Sequence, residues 1–391
     1  MVYDFDKVIE RKNTSCVKYD AASKMGMPED ILPLWVADMD FQAPQGVIDR
    51  LKDAVEHGIF GYSEEPDGYF EALHSWYSRR FGWEINREWL IRTPGVVFAV
   101  SAAVRAFTNV GDAVLIQQPV YYPFKRAIEN NGRKAVNCGL VLKDGRYQID
   151  FDAFEKCAAR EEVKLFVLCS PHNPLGRVWE EWELRKLGEI CLKHQVKIVS
   201  DEIHSDFVYP GYRHHVLASL SDEFAAITMT CTAPSKTFNL AGLQTSNIFI
   251  SNEEMRSAYQ HVLEVQDCGE LNRMGLLACQ AAYETGEEWL EQLLVYLKGN
   301  LDYIRNFLAE KLPQIKVIEP EGTYLLWMDF RELNLNETEL EELIVKKARL
   351  WLDGGTMFGE SGAGFQRVNI ACPRSIIAEA MERLYQAIKE H

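Results

Sequence analysis

Between about residue 90 and residue 250 the chain alternates short apolar runs with stretches in which apolar residues recur every three or four positions. The runs Ala113–Gln117, Leu165–Ser170, Lys197–Asp201, Phe224–Cys231 and Ser246–Ile250 are rich in Val, Ile, Leu or Phe and bounded by Gly, Pro, Asp or Asn. That pattern predicts strands. Their continuity suits strands covered on both faces. Between them, Trp182–His194 places Leu184, Leu187 and Cys191 on one face, which predicts a helix. Strand–helix alternation over this length predicts an α/β fold with a mostly parallel sheet flanked by helices. The C-terminal third reads differently. A long helical stretch from about Glu287 to Lys311 is followed by strands near Lys316–Ile318 and Thr323–Phe330. A last helix, Arg374–Lys389, carries Ile377, Met381, Leu384 and Ile388 on one face. These elements predict a second, smaller α/β domain. The first 43 residues contain Pro28 and Pro33 and show little periodicity, so they are expected to run over the surface and pack on it. The division is then a large domain at 44–285 and a small one made of 1–43 with 286–391.

A chain of 391 residues, 47% hydrophobic, buries a large core and exceeds the usual size of one domain. Its net charge of −16 repels phosphate backbones and anionic lipid, which argues against nucleic acid and membrane surfaces as partners. The nine cysteines are scattered and never stand in CxxC spacing. Neither a metal site nor a disulfide framework is therefore expected, and reduced, mostly buried thiols fit a cytoplasmic protein. The N-terminal MVYDFDKVIERKN has no signal-like apolar segment, and no later run reaches membrane-spanning length.

Polar residues with chemical potential stand just after the predicted strands. Lys236, in Ser235-Lys236-Thr237-Phe238-Asn239, follows a strand and precedes mostly uncharged residues. A lone lysine is usually a solvated charge, but one held off water loses basicity and becomes a nucleophile for Schiff-base chemistry. Asp201 closes Lys197–Asp201 at the strand end where α/β sheets build their sites. It suits either a helix or turn cap or a partner for a protonated pyridine nitrogen. His204 follows three positions later, as an ordinary buried histidine or a second group at the same ring. Asn173-Pro174 is a turn signal, and the Asn173 amide also suits a phenolic oxygen. Gly95 before Val96 and Val97 opens a helix whose free N–H groups suit a phosphate. In Pro119-Val120-Tyr121-Tyr122-Pro123 the tyrosines serve packing, or one of them stacks on a flat ring. Each signal alone is weak to moderate. Together, Gly95, Tyr121, Asn173, Asp201 and Lys236 each follow a strand in an order that one cofactor explains.

The series Asn173, Asp201, Lys236 and Arg367 resembles the fold-type-I enzymes that use pyridoxal 5′-phosphate (PLP). The segments Pro33-Leu34-Trp35-Val36-Ala37-Asp38-Met39-Asp40-Phe41, Thr93-Pro94-Gly95-Val96-Val97, Ala233-Pro234-Ser235-Lys236-Thr237-Phe238-Asn239 and Arg367-Val368-Asn369-Ile370-Ala371 are similar to the MalY/PatB group of C–S lyases. The resemblance covers nearly the whole chain. It implies that Lys236 carries the cofactor, Asp201 pairs with the ring nitrogen, and Asn173 with His204 binds the ring oxygen. Tyr121 would stack on the ring and Tyr122 face the substrate. Val96 and Val97 N–H with Ser235 would hold the phosphate, and Tyr62 would reach the phosphate of a partner subunit in a homodimer. Arg367 would clamp the substrate carboxylate, where a bidentate guanidinium suits a planar anion. Two positions depart from the wider pattern: Gln244 stands where many fold-type-I enzymes carry a phosphate-binding Arg, and Ala233 where many carry Ser or Thr. Thr232 is the expected substitute for the latter. The implied reaction is α,β-elimination of L-cystathionine or a cysteine S-conjugate to a thiol, pyruvate and ammonia. Transamination needs the same residues and stays open, as does a regulatory role beside catalysis.

Overall fold

The structure is a computed structural model and describes residues 2–390. Seven strands form the main sheet: β1 Leu90–Thr93, β2 Ala113–Ile116, β3 Lys134–Asn137, β4 Val163–Cys169, β5 Lys197–Asp201, β6 Thr228–Thr232 and β7 Ser246–Ile250. Their order is β1-β7-β6-β5-β4-β2-β3. Only β7 runs against its neighbours; the others are parallel, so their C-terminal ends share one edge. The register places Asp201 level with Cys169 on one side and Cys231 on the other.

Both faces of the central strands are covered, which is why those read as apolar runs, whereas the edge strands β1 and β3, part-exposed and partly polar, are not among the runs expected from the sequence. One face packs on helix α1, Val96–Phe107, and on the helix Glu253–Val265 through Val100, Val104, Val199, Ile248 and Tyr259. The other packs on helix α2, Glu181–Lys193, through Phe154, Phe166, Leu184, Leu187 and Ile198. Helix α2 starts one position before the predicted segment and ends one before it. Its first turn is closed by a capping box in which Glu180 and Glu183 bond each other's backbone N–H.

The predicted strand Phe224–Cys231 is corrected at its first half. Asp222–Ile227 is helical, capped by the Ser221 hydroxyl, and β6 begins only at Thr228. Two acidic residues, Asp222 and Glu223, occupy its first turn and favour the helix dipole.

The helices Glu287–Lys311 and Arg374–Lys389 have the predicted bounds. They flank a four-stranded sheet, β8 Lys316–Val317, β9 Leu325–Asp329, β10 Asp353–Gly354 and β11 Phe365–Asn369, in the order β8-β9-β11-β10. The N-terminal segment joins it: Leu32–Pro33 pairs in parallel with Leu350–Trp351, and Trp35 stacks on Trp351 at 4.2 Å. From there Trp35–Asp38 runs to the C-terminal edge of the main sheet, where Ala37 meets Lys236. No described helix is long and apolar enough to cross a membrane.

Candidate active site

A cavity of about 270 Å³ opens at the C-terminal edge of the main sheet. Its walls include Gly95, Val96 and Val97 after β1, Tyr121 after β2, Asn173 after β4, Asp201 and His204 at the end of β5, and Ser235 and Lys236 after β6. Five strand ends thus deliver nine of the sequence-picked residues to one space, as a parallel sheet does at its carboxyl edge.

Lys236 sits in the one-turn helix α3, Pro234–Thr237, and its Nζ donates to the carbonyl of Ala37 at 2.6 Å. Burial, helped by the Arg367 charge, lowers its pKa to about 8. Asp201 is 4% exposed and accepts one hydrogen bond, from Ile203 N–H at 3.2 Å. Burial raises its pKa to about 7 against the opposing pull of Ile203 N–H and Lys236. His204 is buried, its Nδ1 has no partner, and burial lowers its pKa to about 3, so the ring is neutral. It packs edge-on against Tyr324, whose hydroxyl donates to the same Ala37 carbonyl at 3.0 Å.

At the other end of the cavity, helix α1 begins without a side-chain cap. Gly95 takes φ +155°, and a Cβ there would meet nothing within 4 Å. The first N–H groups of α1 are therefore available to an anion. Asn173 is held from two sides. Its carbonyl accepts Tyr121 N–H at 3.0 Å, and its Oδ1 accepts Arg367 Nη1 at 3.1 Å. This orientation leaves the amide N–H₂ of Asn173 as the free donor.

Arg367, on β11, is 3% exposed rather than a surface residue. Its Nη2 donates to the Trp35 carbonyl at 2.8 Å and pairs with Asp353, while Nε has no partner. It lies behind Asn173 and outside the cavity wall. Tyr122 is also outside it, with its ring 5.6 Å from that of Tyr121 and 6.0 Å from Phe358. Tyr62 does not reach the cavity of its own chain and is 98% exposed.

Of the two departures, Gln244 lines the cavity in a left-handed conformation with φ +50°, and Ala233 does not line it. Thr232 is not a substitute. Its hydroxyl donates to the Asn247 carbonyl at 3.0 Å and accepts from Tyr77 at 2.7 Å, outside the cavity lining. Ala37, Phe98, Cys169, Ile203 and Thr245 also line the cavity and were not picked out from sequence. They supply shape rather than a recognisable chemical group, although Ala37 lies inside a quoted segment. Among the described residues, no three His, Cys, Asp or Glu side chains are grouped to hold a metal.

The donor set suits a planar, phosphorylated pyridine aldehyde. An uncapped helix end would receive an anion, a buried carboxylate with one weak partner would pair with a ring cation, and an amine of lowered basicity would take a carbonyl. The model of the aminotransferase class I and II family matches residues 29–384, and the chain belongs to that family. Within it, the chain belongs to the MalY/PatB group. It is 43% identical to cystathionine beta-lyase PatB of Bacillus subtilis (strain 168), over 98% of this chain and 100% of the relative. It is 33% identical to protein MalY of Escherichia coli (strain K12), over 99% of both. Cystalysin of Treponema denticola, whose crystal structure contains pyridoxal 5′-phosphate, superposes with a TM-score of 0.97 at 40% identity, covering 100% of both chains.

Proposed function

We propose that this protein is a PLP-dependent C–S β-lyase that cleaves L-cystathionine or cysteine S-conjugates to a thiol, pyruvate and ammonia. The observation that carries the reading is the convergence of Lys236, Asp201, Asn173 and the open end of α1 on one cavity. Elimination is preferred to transamination because PatB, similar over its full length, is a cystathionine beta-lyase by name.

Bound PLP supplies an electron sink for negative charge developing at the substrate Cα. The chain's residues do the rest. Lys236, neutral in an appreciable fraction near pH 8, is the nucleophile that carries the cofactor. With substrate bound, its Nζ would take the Cα proton as general base. Asp201, ionised beside a ring cation, would keep the ring nitrogen protonated. Asn173, through its free N–H₂, and neutral His204 bind the ring oxygen. Tyr121, which lines the cavity, would stack on the ring face. Val96 and Val97 N–H with Ser235 hold the phosphate. Arg367, fixed by Asp353 and the Trp35 carbonyl, orients the substrate carboxylate, and Tyr122 faces the substrate beyond it.

The site is completed in a homodimer, with Tyr62 reaching the phosphate of the second copy. The exposed apolar run of Val55, Ile59, Phe60 and Tyr62 supports this, since such a patch is uncommon on a monomer. A monomer in solution with full cofactor affinity would sink that part. The proposed domains are 44–285 and 1–43 with 286–391, supported by the pairing of Leu32–Pro33 with Leu350–Trp351. The cytoplasm is the proposed compartment, on the scattered free cysteines.

The deciding experiment measures pyruvate and thiol release from L-cystathionine by the PLP-loaded protein with no keto acid added. Release of both is expected. No release, with turnover restored by a keto acid, would replace the lyase by an aminotransferase.

A further inference from the structure

The segment after Asp201 folds back on itself behind the cavity. Ser205 N–H donates to the Glu202 carbonyl at 3.0 Å, and Phe207 N–H to that of His204 at 2.9 Å. These turns bring Asp206, five residues beyond Asp201, beneath helix α3. Asp206 is 5% exposed and does not line the cavity.

Its carboxylate nevertheless gathers three donors. Thr237 Oγ1 donates to Oδ2 at 2.8 Å, and Trp76 Nε1 and Arg80 Nε donate to Oδ1 at 3.2 and 3.1 Å. Trp76 and Arg80 lie on the helix Tyr69–Phe81, and Arg80 continues to Glu291 at 2.7 Å on the helix Glu287–Lys311. Thr237 is the residue next to Lys236.

Helix α3 spans four residues and has no side-chain cap, so little within it fixes its own tilt. The amine of Lys236 stands at the end of a flexible four-carbon stem, which turns a small tilt of the helix into a large displacement at Nζ. Burial raises the pKa of Asp206, while Arg80, Thr237 and Trp76 pull it back. One buried carboxylate therefore links the turn carrying Asp201 and His204, the turn carrying Lys236, and a helix rooted elsewhere.

We propose that Asp206 is a positioning residue which, through Thr237, sets the Lys236 amine against the ring site defined by Asp201. The inference rests on the reading that Lys236 carries the cofactor. It assigns Asp206 no contact with substrate or cofactor.

The test uses the PLP-loaded protein and reads the cofactor–lysine absorbance band, its pH midpoint and the cofactor dissociation constant. The variants are Thr237→Val, Thr237→Ser and Asp206→Asn. Thr237→Val keeps the side-chain shape and removes the donor. Loss of a hydrogen bond to a charged group predicts cofactor binding weakened about tenfold or more. The band's pH midpoint should shift, with an unchanged far-ultraviolet circular dichroism spectrum. Thr237→Ser restores both values, which a role in packing alone would not do. Asp206→Asn behaves like Thr237→Val. Wild-type dissociation constants and an unshifted midpoint in Thr237→Val and Asp206→Asn would overturn the proposal. If Asp206→Asn fails to fold, the Thr237 pair decides alone. Lys236→Ala separates the two layers: a lysine-linked band surviving in that variant would overturn the underlying reading instead.

Discussion

Two of the clusters of buried charge in this molecule are built on opposite plans. In the first, Glu321 receives Arg177 Nε at 2.9 Å, Val178 N–H at 2.8 Å and Arg146 Nε at 2.6 Å. Arg177 continues to Glu183 at 2.8 Å and to the Tyr147 carbonyl, with its guanidinium 4.5 Å over the ring of Trp179. Few donors or acceptors there are left over. In the second, the cavity, Asp201 has one backbone partner, Lys236 has one carbonyl, and His204 Nδ1 has none. Buried charge with complete partners is structural cross-bracing, since removing one member strands the others. Buried charge with partners missing is unstable alone and waits for a ligand to complete it. The difference marks the functional site without reference to any motif.

Lys236→Ala should give the largest effect, a loss of kcat for thiol release of about 10⁴-fold in a steady-state pyruvate assay. Comparable turnover by that variant would remove Lys236 from the chemistry. Glu321→Gln should cost about 3 kcal/mol of stability by calorimetry, because it removes the buried carboxylate that Arg177 and Arg146 share. The kcat of the protein that remains folded should be unchanged, and a drop in kcat without loss of stability would erase the contrast. Asp201→Asn should cut kcat by about 10²-fold while stabilising the cofactor-free protein at pH 7, the opposite sign to Glu321→Gln. Its carboxyl ionises from pH 3.8 when unfolded but only near 7 when folded. Between those values the native state holds the extra proton, so stability falls as pH rises and levels off above 7. The Asn variant should lack that slope in thermal melts of the cofactor-free protein. The smallest effect is a pH dependence. Stopped-flow PLP uptake by the cofactor-free protein should accelerate about tenfold per pH unit and bend near pH 8, where Lys236 loses its proton. A bend near the ordinary lysine value would mean that the amine is not desolvated.

The main sheet was legible because each central strand is buried on both faces and leaves a continuous apolar run, with its polar residue just past the end. Asp222–Ile227 was misread because Phe224 to Ile227 forms the same kind of run; Ser221 followed by two acids was the helix start signal that outranks it. Thr232 was misplaced for a different reason. It lies within β6, where alternation turns it toward Tyr77, while the site is built by residues beyond the strand. Arg367 was legible only through family likeness, since its burial follows from packing of the small sheet against Trp35. The walls formed by Cys169, Ile203 and Thr245 were not legible, because residues that give only surface carry no mark of what they face. The role proposed for Tyr62, 98% exposed here, involves a second chain.

The open end of α1 has a genetic consequence. Its donors at positions 96 and 97 are amide hydrogens, which nineteen of the twenty amino acids supply equally well and only proline withholds. A codon change there rewrites the side chain and leaves the donor in place. What the gene must protect is the bend before them, where Gly95 holds φ +155°. The anion end of the cavity is thus encoded by the path of the chain, and the side chain of Val96, 5% exposed in the core, answers to packing and not to the anion.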